Sequence, residues 1–137
     1  MPGDGRTFRR RSERFWKVWP MPDVVDEAHR VVFVDGIYLD RGLCVLIACT
    51  EDHVLSWYLV RGETTAAWRA VLRTVAPPEV VVTDGGSGFA SAVAAEWPST
   101  RVQRCTFHAF CQVKRCTTTK PKLQAGVELY ALAKELL

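Results

Sequence analysis

The segment "VVVTDGGSGFASAVAAEW", residues 80–97, says most about the fold, because its pattern changes at a carboxylate. Three valines and a threonine form a continuous apolar run, which is typical of a strand covered on both faces. Asp84 and two glycines follow, and the apolar segment after them ends at Pro98, a residue that stops helices. We therefore predict a buried strand that ends at Asp84 and leads through a tight turn into a helix.

A second stretch of the same form, "RVVFVDG" at residues 30–36, predicts a buried first strand that ends at Asp35. Short turns separate it from the next two apolar runs, so the first three strands are expected to form an antiparallel meander. A helical crossover then leads to the strand before Asp84, which favours parallel pairing with the meander. The predicted fold is α/β, with a mixed sheet of this meander plus two parallel strands, flanked by helices. The remaining elements are apolar runs at 43–49 and 53–60, a short strand at 100–105, and helical patterns at 64–75, 107–116 and 123–137.

The two aspartates predict a divalent-metal site if their strands are neighbours. Adjacent strands lie about 5 Å apart, and two carboxylates this close repel by about 4 kcal/mol at an effective dielectric of 20. Mg²⁺ or Mn²⁺ would offset that repulsion, since both prefer hard oxygen ligands. A proton shared by the two carboxylates would also offset their repulsion. For each aspartate considered alone, the alternative to a metal site is an ordinary Asp-Gly turn. An aspartyl-phosphate phosphotransferase fits less well, because such a nucleophile needs a second Asp two residues on and Ile37 stands there.

The composition is that of one globular domain with a basic N-terminal arm. The 137 residues are 48% hydrophobic and 24% charged, with a net charge of +3. The first residues lack the apolar core of a secretory signal, and the run "LCVLIAC" is too short to span a bilayer, so no membrane partner is expected. The arm is either merely solvated or binds DNA phosphates. Its basic residues are Arg6, Arg9, Arg10, Arg11, Arg14 and Lys17.

The cysteines and the segment "CTFH" raise the question of a zinc site. Five cysteines without an export signal indicate a reducing cytoplasm and free thiols. Cys105 and His108 are spaced C-x2-H, with Cys111 and Cys116 behind, which is not a standard zinc arrangement. A buried thiol and a hydrogen-bonded histidine at a strand-to-helix junction are therefore preferred over zinc.

From about "RFWKVWP" to its end, the chain resembles the Mutator-type transposases of bacterial insertion sequences. The ordered motifs "VVFVDG", "VVVTDGG" and "VQRCTFH" carry the resemblance. It implies an RNase-H-like fold and a DDE active site with two divalent metals that cuts element ends and joins them to target DNA. By position, Asp35 and Asp84 would be the first two catalytic and metal-binding acids. Cys105 and His108 would be the Cys-x-x-His element near the site.

The third acid of that family, a glutamate, follows a helical insertion, and the given sequence stops before such a position. Glu128 is the alternative, but its helix is patterned for packing. We therefore expect a basic arm at 1–23, a partial catalytic core at 24–117 and the start of the insertion at 118–137. The expected function is that of a transposase catalytic-domain fragment, inactive alone and associated with the nucleoid, with DNA and other transposase subunits as partners. The alternative is a non-catalytic DNA-binding remnant.

Overall fold

The computed structural model describes residues 23–135, together with Thr7, Arg10 and Arg11 of the N-terminal arm. Within residues 23–135 the elements alternate as the sequence predicts, with three strands first and helices interleaved afterwards. The strands are β1 (Val31–Asp40), β2 (Leu43–Cys49), β3 (Val54–Val60), β4 (Val80–Thr83) and β5 (Arg101–Arg104). The helices are α1 (Thr65–Leu72), α2 (Ser87–Glu96), α3 (Thr106–Thr117) and α4 (Gln124–Lys134).

The five strands form one mixed sheet in the order β3-β2-β1-β4-β5. β1 pairs with β2, and β2 with β3, in antiparallel fashion. β4 pairs in parallel with both β1 and β5. The predicted α/β class, the meander and the two parallel strands are confirmed. The central strand β1 is thus the junction between the antiparallel and the parallel halves.

The first strand does not end at Asp35, and the short turn predicted at residues 37–42 is confined to Arg41 and Gly42. β1 continues to Asp40 because β2 stays paired with it, from Phe33 opposite Cys49 to Asp40 opposite Leu43. Backbone pairing with a neighbouring strand overrides the turn preference of Asp-Gly. The reversal is instead made by the two residues before β2, where Gly42 adopts a φ of 74°.

The core lies between one face of the sheet and helices α1 and α2. Trp68 and Trp97 are each only 2% exposed, as expected for helix residues that pack on a sheet. The rings of Trp68 and Phe89 meet edge to face with centroids 5.2 Å apart, which joins the two helices. Glu96 adds a polar link, because its Oε1 accepts hydrogen bonds from Arg69 and Arg73.

Helices α3 and α4 form a separate pair beyond β5. No residue of α3 is fully buried, and its contact with α4 includes the rings of Phe110 and Tyr130, 5.9 Å apart. Thr118, at a φ of 66°, ends α3. The domain division at 117 and 118 stays a prediction. Among the described residues, no helix is both long and apolar enough to cross a membrane.

Candidate functional site

Asp35 and Asp84 come to the same edge of the sheet through the register of β1 and β4. Val31 pairs with Val80 and Phe33 with Val82. The same register, carried two residues further, sets Asp35 opposite Asp84. Parallel neighbours lie about 4.8 Å apart, so the paired backbones bring the two acids together.

The turn after β4 fixes the backbone around Asp84. Asp84 Oδ1 accepts the N–H of Gly86 at 3.0 Å and the Thr83 hydroxyl at 3.4 Å. Gly85 has a φ of 86°, a conformation that glycine adopts without strain. Asp84 is therefore part of a turn, as an ordinary Asp-Gly sequence would be. This turn does not prevent its carboxylate from binding a ligand.

Both aspartates keep one carboxylate oxygen available. Asp35 Oδ1 accepts the N–H of Gly36 at 2.9 Å, and the bonds of Asp84 also fall on Oδ1. In the part of the chain that the structure describes, neither Oδ2 accepts a hydrogen bond. Carboxylate oxygens of this kind suit Mg²⁺ or Mn²⁺, so the donor set fits a hard divalent cation.

A third acidic residue, Glu63, lies at this edge and was missed by the sequence analysis. Its carboxylate covers Gly36: a Cβ at that glycine would lie 2.5 Å from Glu63 Oε1 and 2.8 Å from Oε2. The carbonyl oxygen of Glu63 lies 2.5 Å from the place of a Cβ on Gly88, near the start of α2. Glu63 is thus held between the strand that carries Asp35 and the helix that follows Asp84.

The surroundings of Glu63 disfavour its charged form. Burial raises the pKa of this carboxyl, and the carboxylates of Asp84 and Asp35 raise it further. The Tyr38 hydroxyl and the Trp68 indole lower the pKa, but they do not offset the rise. The indole contact is loose, because the buried Trp68 Nε1 meets no partner with hydrogen-bond geometry among the described residues. An excess of negative charge is therefore concentrated at this edge.

The sequence pattern does not indicate a role for Glu63, because this residue stands directly before a helix cap. Thr64 is the N-cap of α1, and its hydroxyl accepts the N–H of Ala67 at 3.2 Å. A glutamate beside a cap is usually a solvated residue. The feature that could have indicated a role for Glu63 is the topology, since the loop that carries Glu63 connects the meander to the helical crossover that returns to the Asp84 strand.

The Cys-x-x-His residues lie directly beyond β5. The Cys105 N–H donates to the Thr83 carbonyl at 2.7 Å, which ties the start of α3 to the Asp84 strand. His108 lines a cavity together with Asp84. Its Nδ1 is buried and meets no hydrogen-bond partner among the residues that the structure describes, so the predicted hydrogen-bonded histidine is wrong for this atom. Cys105 carries a free thiol, as do the other four cysteines.

The other predicted residues contribute less to this edge. Glu128 lies on α4 and accepts a hydrogen bond from Gln124 at 2.8 Å. In the arm, Arg10 and Arg11 are helical and exposed. Across the described residues, no group of three or more His, Cys, Asp or Glu side chains is arranged to hold a metal ion. The predicted arm residues Arg6, Arg9, Arg14 and Lys17 lie outside the described residues.

The chain is similar to known transposases over most of its length. Residues 24–130 match the sequence model described as "Transposase, Mutator family". A "Probable transposase for insertion sequence element" from Corynebacterium diphtheriae is 25% identical over 131 residues. That similarity covers 81% of this chain and 38% of the relative, so the chain spans well under half of the relative's length. Because the matched segment contains both aspartates, Glu63 and the Cys105–His108 element, we conclude that the chain belongs to the Mutator family of transposases.

Proposed function

We propose that this chain carries the part of a transposase active site that binds a divalent cation through Asp35 and Asp84 during DNA cleavage and strand transfer. The observation that carries the proposal is the parallel register of β1 and β4, which leads to both aspartates at one sheet edge. The strand order, with an antiparallel meander beside two parallel strands, supports an RNase-H-like core.

In a two-metal site, one such ion, Mg²⁺ or Mn²⁺, would activate the attacking oxygen and a second would stabilise the leaving one. The chain's own residues hold and orient the cation. Asp35 and Asp84 each offer Oδ2, while backbone N–H groups fix their Oδ1 atoms. Glu63 adds negative charge that a cation would relieve, and we assign it a role through its field and not as a ligand.

Complete strand transfer needs more than these two aspartates. The resemblance places the third acid of the family after a helical insertion, and Glu63 is not at that position. We propose that the 137-residue chain binds metal and DNA but does not join DNA strands by itself. Element ends, target DNA and other transposase subunits in the nucleoid are its proposed partners.

Thermal denaturation with and without Mn²⁺ tests the metal site. A ligand that binds only the folded state stabilises it by about 1.4 kcal/mol at ten times its Kd. We expect a rise in Tm for the wild-type chain that is lost in Asp35→Asn and in Asp84→Asn. Asp52→Asn is the matched control, because this exposed acid lies in the turn between β2 and β3.

DNA binding and a plasmid nicking assay on the same variants distinguish a metal-dependent catalytic fragment from a non-catalytic DNA-binding remnant. If Mn²⁺ does not stabilise the wild type while DNA binds equally well to all variants, the metal site is wrong and the non-catalytic remnant is favoured. Strand joining by the purified chain would contradict the proposal that this chain does not join DNA strands by itself. Glu63 and Glu128 would then be the acids to substitute.

A further inference from the structure

We propose that the cavity beside Asp84, between β5 and α3, is a subsite for a phosphodiester group of the DNA backbone. The inference rests on the proposed function for its choice of DNA as ligand. The cavity has a volume of about 180 Å³, the space of about six water molecules at roughly 30 Å³ each. It is lined by Asp84, Arg104, His108, Cys111, Gln112 and Arg115.

One face of α3 supplies most of the cavity wall. His108, Cys111, Gln112 and Arg115 follow the spacing i, i+3, i+4 and i+7, which places residues on the same side of a helix. This face is polar at three of its four positions, so it presents mostly polar groups to the cavity.

Arg104 is positioned across the opening from this helix. Its guanidinium lies over Gly85: a Cβ there would be 2.6 Å from Arg104 Cζ and 3.0 Å from Nε. Nη2 donates to Gln112 Oε1 at 3.0 Å. The glycine and the amide together hold the guanidinium plane, which leaves N–H groups free to donate to an anion.

The charges in the cavity match a monoanion. The ion pairs between described residues link Arg69 and Arg73 to Glu96, so within this part of the chain Arg104 and Arg115 form no ion pair with a carboxylate. Two guanidinium groups therefore face one carboxylate, Asp84. Guanidinium groups are the preferred partners of phosphate oxygens. His108 lines the same wall.

The surrounding surface indicates a polymer and not a small phosphate. Residues 97–127 contain no Asp or Glu. The basic residues of this segment are all exposed, and they extend from β5 along α3 into the loop before α4. Exposed basic residues without acidic neighbours in this segment suit a chain of phosphates. Its members are Arg101, Arg104, Lys114, Arg115, Lys120 and Lys122.

The test measures the affinity of the full chain for a labelled DNA duplex in EDTA over a series of salt concentrations. Each phosphate contact contributes about 0.9 to the slope of log affinity against log salt. Arg115→Gln should lower that slope by about 0.9, and Arg104→Gln with Arg115→Gln by about 1.8. Arg41→Gln, an equal charge change in the β1–β2 turn, is the matched control and should leave the slope unchanged.

Two further measurements separate this subsite from the metal site. Asp84→Asn should bind DNA more tightly in EDTA, because the carboxylate that faces the phosphate loses its charge. Inorganic phosphate, compared with chloride at equal ionic strength, should compete only weakly if the ligand is the polymer. Slopes for the arginine variants equal to that of Arg41→Gln would overturn the subsite whether or not Mn²⁺ binds. Strong competition by inorganic phosphate would show a free-phosphate site and would overturn the assignment to DNA.

Discussion

Gly36→Ala provides a direct test of the role of Glu63, because one added methyl group meets that carboxylate. The new Cβ would lie 2.5 Å from Glu63 Oε1, and ordinary contact begins at 3.4 Å, so the carboxylate must withdraw by about 0.9 Å. Gly36 lies within β1 and has no positive φ, so alanine fits its backbone. The substitution therefore moves Glu63 with little strain elsewhere, and in the metal-free chain it should be neutral or stabilising by up to about 1 kcal/mol.

The effect on cation binding follows from Coulomb's law. We take one strand spacing, about 5 Å, as the starting separation between the Glu63 charge and the cation. Withdrawal by about 0.9 Å directly away from the cation then costs at most about 1 kcal/mol at an effective dielectric of 20. This weakens binding roughly fivefold. At a Mn²⁺ concentration ten times the wild-type Kd, the stabilisation falls from about 1.4 to about 0.6 kcal/mol. For a domain of this size the rise in Tm should fall from about 6 °C to about 2 °C.

The assay is thermal denaturation with and without Mn²⁺, and the chain offers a matched control. A Cβ at Gly62 would meet no atom within 4 Å, so Gly62→Ala should keep the full metal-dependent rise. In a Glu63→Gln background, Gly36→Ala should cause no further loss. A Gly36→Ala variant with the same metal-dependent rise as Gly62→Ala would refute the role of Glu63.

Three other predictions concern stability and the arm. Hydrogen bonds from Arg73 and Arg69 lower the pKa of Glu96. A carboxyl whose pKa falls on folding stabilises the fold above its unfolded pKa and loses that contribution as the pH drops through its folded pKa. Acid should therefore lower the Tm of the wild type more than that of Glu96→Gln, and equal acid profiles would contradict this. Trp68→Ala should destabilise the chain by about 3–5 kcal/mol, which lowers the Tm by roughly 10–20 °C; a loss below 1 kcal/mol would contradict the packing described. Deleting residues 6–17 should weaken DNA binding and reduce its salt dependence, and unchanged values would show that the arm makes no phosphate contacts.

The order of the elements and the strand environment of both aspartates can be predicted from the amino-acid sequence. Continuous valine runs before Asp35 and Asp84 mark buried strands, and short connections or a helical crossover decide antiparallel or parallel pairing. These signals are local, because strand composition, loop length and helix periodicity can each be read within about twenty residues. The resemblance to the Mutator transposases rests on the same local motifs.

The residues that surround those aspartates are set by contacts between elements that are distant in sequence. β1 runs past Asp35 to Asp40 because β2 continues to pair with it, a contact that the composition of β1 alone does not reveal. Glu63 approaches Asp35 and Asp84 through the packing of its loop against Gly36 and Gly88. The cavity likewise depends on where α3 lies relative to Arg104 and the turn after β4. Each of these neighbours is distant in sequence, so its place is set by the packing of whole elements and not by any local pattern.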